Sequence, residues 1–273
     1  MSPAPARPSV IVRTKNSAAS VEETFRTLRR QTVQCEIIVV DSGSSDNTLA
    51  LAKAHADKVV GIASERFSFG RALNVGAENA SGEIVFALSS HCFLERDDWI
   101  ERSLAYYERA DVAATNGAPL APNGNPLFET FYQTSTDAWT DPYWGFSNHA
   151  GSWRASVWRA HRFDEEIEAC EDKEWAWRVL NAGHVLAFHP ALAVSSKHRE
   201  LSGTRALFDR SRREARALAC HVPVPPRSAG EAVRQWWDQV PERPIYPPLF
   251  YRLNYLRLAE ILGRYLGQAE ARR

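Results

Sequence analysis

Cysteine is sparse and unpaired: Cys35, Cys92, Cys170 and Cys220 are scattered and form no CxxC pair. That argues against a zinc ribbon and a disulfide framework and fits a reducing compartment. No apolar run approaches the roughly 20 residues that a spanning helix needs. Met1 to Pro8 is rich in Pro and Ala with no apolar core, unlike a signal peptide. The expectation is a cytoplasmic chain, with contact at the inner face of the membrane left open. Net charge is also missing. Lys+Arg and Asp+Glu balance at 33 each, which removes any global case for nucleic acid as a partner. There is no internal repeat and no low-complexity segment. What is present is 273 residues, 44% hydrophobic, enough for one large domain or one domain with an appendage. Nine Trp, eight Tyr and twelve Phe, several in polar surroundings, hint at a binding groove.

The most informative stretch is Glu36-Ile37-Ile38-Val39-Val40-Asp41-Ser42-Gly43-Ser44-Ser45-Asp46-Asn47-Thr48. Its apolar run does not alternate, so it reads as a strand buried on both faces. The polar string is the loop at its carboxyl end, where open α/β sheets bind ligands. Asp41 is an acceptor suited to a base N–H or ribose hydroxyls, Gly43 permits close backbone approach, and Asp46 or Ser45 can cap the helix starting near Thr48. The alternative is a strand, turn and capped helix with no ligand.

Around it, Ser9–Arg13 reads as a first strand, and Ser20-Val21-Glu22-Glu23 as a capping box before a helix. Val59–Ile62 is a short strand, Phe69 to Asn79 a helix and Glu83–Leu88 a buried strand. A helix around Asp98 to Ala110 and a strand at Val112–Thr115 follow. This alternation predicts a mostly parallel sheet with right-handed crossovers. From Asn116 to Gly151 the chain turns rich in Pro, Gly, Asn and aromatics, with a helix expected around Leu127 to Trp139; loops this long usually bind something. A helix starts at Asp172 and ends at Gly183, and strands are expected at Val185–Phe188 and Leu192–Val194. The rest reads as helical with a break at Pro223-Val224-Pro225-Pro226.

Four pieces in order resemble an inverting family 2 glycosyltransferase of the GT-A fold: Val12-Arg13-Thr14-Lys15-Asn16, the Val39–Thr48 loop, Phe69-Gly70-Arg71-Ala72-Leu73-Asn74-Val75-Gly76, and Glu171-Asp172-Lys173-Glu174-Trp175. The match runs from about Pro8 to His198. It implies an α/β GT-A domain over residues 1–200, with a nucleotide-binding half at about 8–115 and an acceptor half at about 116–200. Residues 201–273 form a helical extension. The implied partners are a nucleoside-diphosphate sugar donor and a carbohydrate or lipid-linked saccharide acceptor. A sugar nucleotidyltransferase would want a glycine-rich loop after the first strand, and here that loop is Arg13-Thr14-Lys15-Asn16. An inactive nucleotide-sugar-binding module and a non-enzymatic scaffold are the other readings.

The resemblance implies that Thr14 and Asp41 hold the nucleobase and ribose and that Arg71 and Asn74 lie near the diphosphate, with Asn16, Gly43 and Ser90 also in the nucleotide-sugar site. It also implies that Asp172, beside Glu171, is the general base. By position alone Asp172 is an N-cap. One departure stands out. Where the family usually has Asp-x-Asp, this chain has Ser89-Ser90-His91. Either His91 and His198 hold Mn²⁺ or Mg²⁺, imidazole suiting Mn²⁺ better, or Arg71, His91 and His198 meet the diphosphate directly. Trp144, Asn148 and one of Trp175 and Trp177 are expected on the acceptor side, since i and i+2 point to different sides of a helix. Arg205, Arg210, Arg212, Arg213 and Arg216 make either a solvated helix face or a surface for a phosphate-bearing acceptor or anionic membrane. The amphipathic Tyr246–Leu266 helix packs on the domain or on a second subunit, which leaves a homodimer open.

Overall fold

The computed structural model describes residues 7–118, 129–196, 203–224, 228–238 and 252–272. In chain order these form β1 (Ser9–Thr14), α1 (Val21–Arg29), β2 (Glu36–Asp41), α2 (Thr48–His55), β3 (Lys58–Gly61), α3 (Phe69–Glu78), β4 (Ile84–Ser89) and β5 (Cys92–Phe93). Then come α4 (Trp99–Ala105), β6 (Val112–Gly117), β7 (Phe131–Gln133), α5 (Ser135–Thr140), β8 (Ala150–Arg154), α6 (Ala155–Ala160) and α7 (Glu171–Asn181). The rest is β9 (Val185–His189), β10 (Ser195–Ser196), α8 (Thr204–His221), α9 (Ala229–Asp238) and α10 (Arg252–Glu270). The described residues fall into two compact units, one within Met1–Glu166 and Trp175–His198, the other within Ile167–Glu174 and Arg199–Arg273.

In the first unit the sheet runs β3-β2-β1-β4-β8-β6-β9-β7, and β5 pairs with β10 apart from it. Successive residues of β1 and β2 feed opposite faces. Val10, Val12, Ile37 and Val39 join one apolar cluster with Phe25 of α1 and Trp99 of α4. Ile11 and Val40 join another with Leu73 of α3, Trp153 and Trp175. Helices on both sides therefore explain the unbroken apolar run of β2. Four pairings are parallel and three antiparallel, so the expected parallel character holds. The exceptions are β7, antiparallel to β9 at the sheet edge, and β8, whose small residues Ala150, Gly151 and Ser152 gave no strand signal, yet it lies between β4 and β6 and antiparallel to both.

Several boundaries differ from expectation. Within the expected 127–139 helix, β7 adds to the sheet edge, because Phe131 and Tyr132 pair with β9. The helix proper, α5, starts only after the Thr134–Asp137 capping box. The strand expected at Leu192–Val194 is displaced by a 3-10 turn at Pro190–Leu192, where Pro fixes φ. Ser20 sits at the start of α1 but makes no side-chain cap; its hydroxyl donates to Ser17 O. The helix after Asp98 ends at Ala105, followed by a 3-10 turn.

In the second unit α8 and α10 pack closely at glycine. A β-carbon on Gly263 would lie 2.5 Å from Phe208 O, and one on Gly267 2.1 Å from Arg212 O. The arginines of α8 are largely ion-paired: Arg205 with Asp209, Arg210 with Glu214, Arg212 with Glu270, and Arg216 with Glu168. That favours the solvated-face reading over a phosphate or membrane surface. Among the described residues no helix is long and apolar enough to cross a membrane.

The buried Glu36 joins β1, β2 and β3. Its carboxylate accepts from Ser9 Oγ, Ser81 N and Ser81 Oγ and pairs with Lys58 Nζ at 2.8 Å. Burial alone would push this carboxyl up, but these partners outweigh it and hold the pKa down at about 2. A depressed carboxyl contributes stability above its unfolded value, and that contribution is lost as pH falls toward the folded value. Glu36→Gln should therefore be less stable than wild type at pH 7. The gap should close as pH falls from about 4.5 to about 2, as read by urea unfolding at each pH.

Candidate active site

The carboxyl ends of β1, β2 and β4 lie side by side in parallel register, pairing Thr14 with Asp41 and Arg13 with Ser89. Asp41 is only 2% exposed, and four donors converge on it. Thr14 Oγ1 and Ser44 Oγ donate to Oδ1 at 2.9 and 2.5 Å. Gly43 N and Ser44 N donate to Oδ2 at 3.0 and 2.9 Å. A carboxylate offers about four acceptor positions, so its capacity is used by its own loop and by Thr14 at the end of β1. Asp41 is thus first the organiser of the turn, and it meets a ligand only where a hydroxyl such as Ser44 Oγ releases Oδ1. Gly43 is needed there: its φ is +87°, and a β-carbon would come within 2.5 Å of Ser64 Oγ.

A second loop, 14–18, is clasped to this one. Asn16, at φ +48°, donates its N–H to Ser44 Oγ and accepts from Ser45 N, both at 2.8 Å. Ser17 N donates to Thr48 Oγ1, and Ala18 N to Asp46 Oδ2. Asp46 also accepts from Thr48 N, but the N-cap position of α2 falls to Asn47, which makes no side-chain cap, rather than to Asp46 or Ser45.

On the other side of β1, α3 borders residues 163–165. A β-carbon on Gly70 would stand 2.0 Å from Asp164 O, so the Phe-Gly-Arg motif needs its glycine for contact. Arg71 Nη1 meets Glu165 Oε2 at 3.2 Å. Asn74 departs from expectation. It is 1% exposed; its Nδ2 donates to Phe163 O and Glu165 Oε1, and its Oδ1 accepts from Trp158 Nε1 and Phe163 N. Fully used, it has nothing left for a diphosphate and instead holds the carboxylate that pairs with Arg71.

At the tip of β4, Ser89 Oγ accepts from Arg13 Nη2 and Ser90 Oγ donates to Ser17 Oγ. His91 is the imidazole there. Burial pushes the neighbouring Cys92 thiol up to about 11. Hard divalent cations take carboxylate and carbonyl oxygens. Two hydroxyls and one imidazole beside a guanidinium fit such an ion poorly, and among the described residues no three His, Cys, Asp or Glu converge. His198 lies outside the described residues.

The acceptor-side expectations separate. Asn148 receives Arg13 Nη2 on its Oδ1 at 2.6 Å and on its carbonyl at 3.0 Å, tying the aromatic loop to β1. Trp144 stacks obliquely on Phe188, 4.8 Å between centroids, and helps line a cavity of about 380 Å³ with Asn116, Ser147, His149 and Val194. Trp175 is a correction. It is wholly buried, its indole N–H donates to His161 O, and its ring packs against Phe146 and Phe163. It is core and presents no face to a sugar. Two residues went unrecognised in the sequence. Arg13 bridges Ser89 and Asn148. Asn116 pins the loop by donating to Ser147 O and Ala150 O and accepting from Ser147 N. A polar side chain at the end of an apolar strand was the available signal.

Glu171 and Asp172 begin α7 after Cys170, whose φ is +65°. They belong to the second unit. Glu171 is buried.

A sequence model described as glycosyl transferase family 2 matches residues 9–162. The chain belongs to glycosyl transferase family 2. Among curated proteins it is 27% identical to the O-antigen chain rhamnosyltransferase WbaN of Salmonella anatum, over 70% of this chain and 66% of that one. It is 34% identical to an uncharacterized glycosyltransferase of Rickettsia typhi, over 38% and 32%. The chain thus spans just under two thirds, or about one third, of the relatives it matches. Among solved structures, the mannosyltransferase PcManGT of Pyrobaculum calidifontis, in complex with GDP-Man and Mn²⁺, superposes with TM-score 0.63 at 18% identity, over 98% of this chain and 74% of that one. Glucosyl-3-phosphoglycerate synthase of Mycobacterium tuberculosis gives 0.60 at 16%, over 82% and 81%. Both likenesses establish the GT-A fold.

Asp41→Asn leaves one amide oxygen to face four donors and turns an amide NH₂ toward two of them. It should cost about 1–3 kcal/mol, the penalty of stranding buried donors. Urea unfolding measures this; an unchanged midpoint would remove Asp41 as the loop's organiser.

Proposed function

We propose that this chain is an inverting glycosyltransferase that moves a sugar from a nucleoside diphosphate to a hydroxyl of a carbohydrate or lipid-linked saccharide. The observation that carries it is the Asp41-centred loop at the carboxyl edge of the sheet, with an aromatic and polar cavity built by the strand ends of the same sheet. The first is suited to a nucleoside and the second to a sugar, whose apolar faces pack on rings while its hydroxyls meet polar groups. In this reading a ribose hydroxyl or base N–H takes the place of Ser44 Oγ on Asp41, and Asn16 and Thr14 frame the pocket. Arg71, held by Glu165, supplies positive charge at the start of α3, where anions are favoured.

Asp172 is the general base. Its carboxylate takes the proton of the acceptor hydroxyl as that oxygen attacks the anomeric carbon. The bond from the anomeric carbon to the diphosphate breaks, and the nucleoside diphosphate leaves with the bonding pair. A single displacement inverts the anomeric centre and needs one base, without a carboxylate nucleophile. Charge on the leaving group is met by Arg71 and His91. The similarity to O-antigen chain rhamnosyltransferases makes a nucleoside-diphosphate rhamnose the first donor to test, with a lipid-linked saccharide as acceptor.

Asp172→Asn should abolish transfer while nucleotide affinity stays within about threefold, because only a transition-state role is lost; radiolabelled transfer and calorimetric titration read the two. Turnover like that of wild type would remove Asp172 as base. EDTA should leave transfer by the wild type unchanged. Loss of transfer with EDTA and its return with Mn²⁺ would establish a divalent metal, and a changed metal requirement in His91→Ala would make His91 one of its ligands.

A further inference from the structure

The family match ends at residue 162, and the segment 163–165 that follows is fastened to α3. One buried amide does most of this. Asn74 Nδ2 donates to Phe163 O at 2.9 Å, and its Oδ1 accepts from Phe163 N at 3.2 Å. A single side chain therefore takes both polar backbone groups of Phe163. Trp158 Nε1 donates to the same Oδ1 at 3.0 Å, and the Phe163 ring packs in the core against Trp153 and Trp175. One residue on, Asp164 O approaches Gly70 so closely that a β-carbon there would lie 2.0 Å from it. Glu165 is thus delivered to a fixed place. Its Oε1 accepts from Asn74 Nδ2 at 2.8 Å, and its Oε2 meets Arg71 Nη1 at 3.2 Å. Asn74 is 1% exposed, so its hold on Glu165 is not readily exchanged for water.

The cation of that pair keeps donors in reserve. A guanidinium carries five N–H donors, and among the described residues Glu165 is the one side-chain partner of the Arg71 guanidinium. Arg71 Nε is buried and meets no acceptor among them. The pair itself is about a third exposed, 29% for Arg71 and 32% for Glu165, so it adds little stability. Its worth lies in geometry. We infer that Glu165 is a positioning residue for the donor's diphosphate: anchored by Asn74, it holds Arg71 by Nη1 and leaves the remaining N–H donors to phosphate oxygens. The inference rests on the reading in which Arg71 meets the diphosphate. An untethered arginine loses rotamer freedom when it binds, and a tether takes that loss beforehand. The charge on Glu165 opposes a diphosphate, but it is already met by Arg71 and Asn74 and is partly screened by water. Ordering therefore outweighs repulsion.

The test compares each nucleoside diphosphate with its own nucleoside: UDP with uridine, GDP with guanosine, and dTDP with thymidine. NMR titration gives dissociation constants for wild type, Glu165→Gln, Arg71→Ala and the double variant, and the melting transition of each is recorded. In Glu165→Gln the amide oxygen stays on the buried Asn74 and the NH₂ turns toward Arg71, which ends the tether. Affinity for the diphosphate that binds wild type should fall roughly fivefold to tenfold in Glu165→Gln, with affinity for its nucleoside within about twofold of wild type. Arg71→Ala should lose at least as much, and the double variant should be no weaker than Arg71→Ala, because Glu165 acts through Arg71. Glu165→Ala replaces Glu165→Gln if that variant does not fold. Unchanged or tighter diphosphate binding in the Glu165 variant, with Arg71→Ala weakened, would overturn the inference and leave Arg71 at the diphosphate. An equal loss for nucleoside and diphosphate, or losses that add in the double variant, would also overturn it. Wild-type diphosphate affinity in Arg71→Ala, or no diphosphate binding by wild type, would overturn the underlying reading as well.

Discussion

A single buried carboxylate sets the geometry of the proposed nucleotide end of this molecule. Asp41 ends a strand that is buried on both faces, so its side chain has little water to turn to. An ionised group in that position must be met by donors from its own chain. Thr14, Gly43 and Ser44 supply them. That demand fixes the turn, the turn requires a left-handed residue at Gly43, and the turn's backbone is what the 14–18 loop clasps. The same constraint explains why the site lies at this edge of the sheet. Three parallel strand ends stop together here, and they bring Thr14, Asp41 and Ser89 to one edge.

The first half of the fold was legible because it obeys one rule repeatedly: an apolar strand, a polar tip, a helix. The Glu36–Asp41 strand, the Gly43 turn and the Phe69 helix all appear where hydrophobic pattern and turn chemistry place them. Legibility failed where contacts distant in sequence decide structure. β8 is made of Ala, Gly and Ser and becomes a strand because β4 and β6 flank it. β7 replaces part of a helix because β9 offers an edge for two aromatic residues. At the site, Thr14, Asn16, Asp41 and Gly43 could be read from local motifs. Asn74 could not, since its three partner residues lie some 84–91 residues away in sequence. Trp175 belonged to the core for the same reason.

Two acidic requirements are met in different ways. Asp41 is held by neutral donors of its own loop, a rigid arrangement suited to shaping a pocket. Asp172 follows a strained residue, in a segment that packs with a helix beyond the family-matched region.

The most direct test is the melting temperature of the protein with UDP, GDP, dTDP, CMP and ATP in turn. A ligand at about 100 times its dissociation constant adds about 2.7 kcal/mol of stability, an effect that is readily seen. A clear rise with one nucleoside diphosphate, lost in Asp41→Asn, is the result expected. A rise with ATP alone, or with none of the nucleotides, would contradict a nucleoside-diphosphate site at this edge of the sheet.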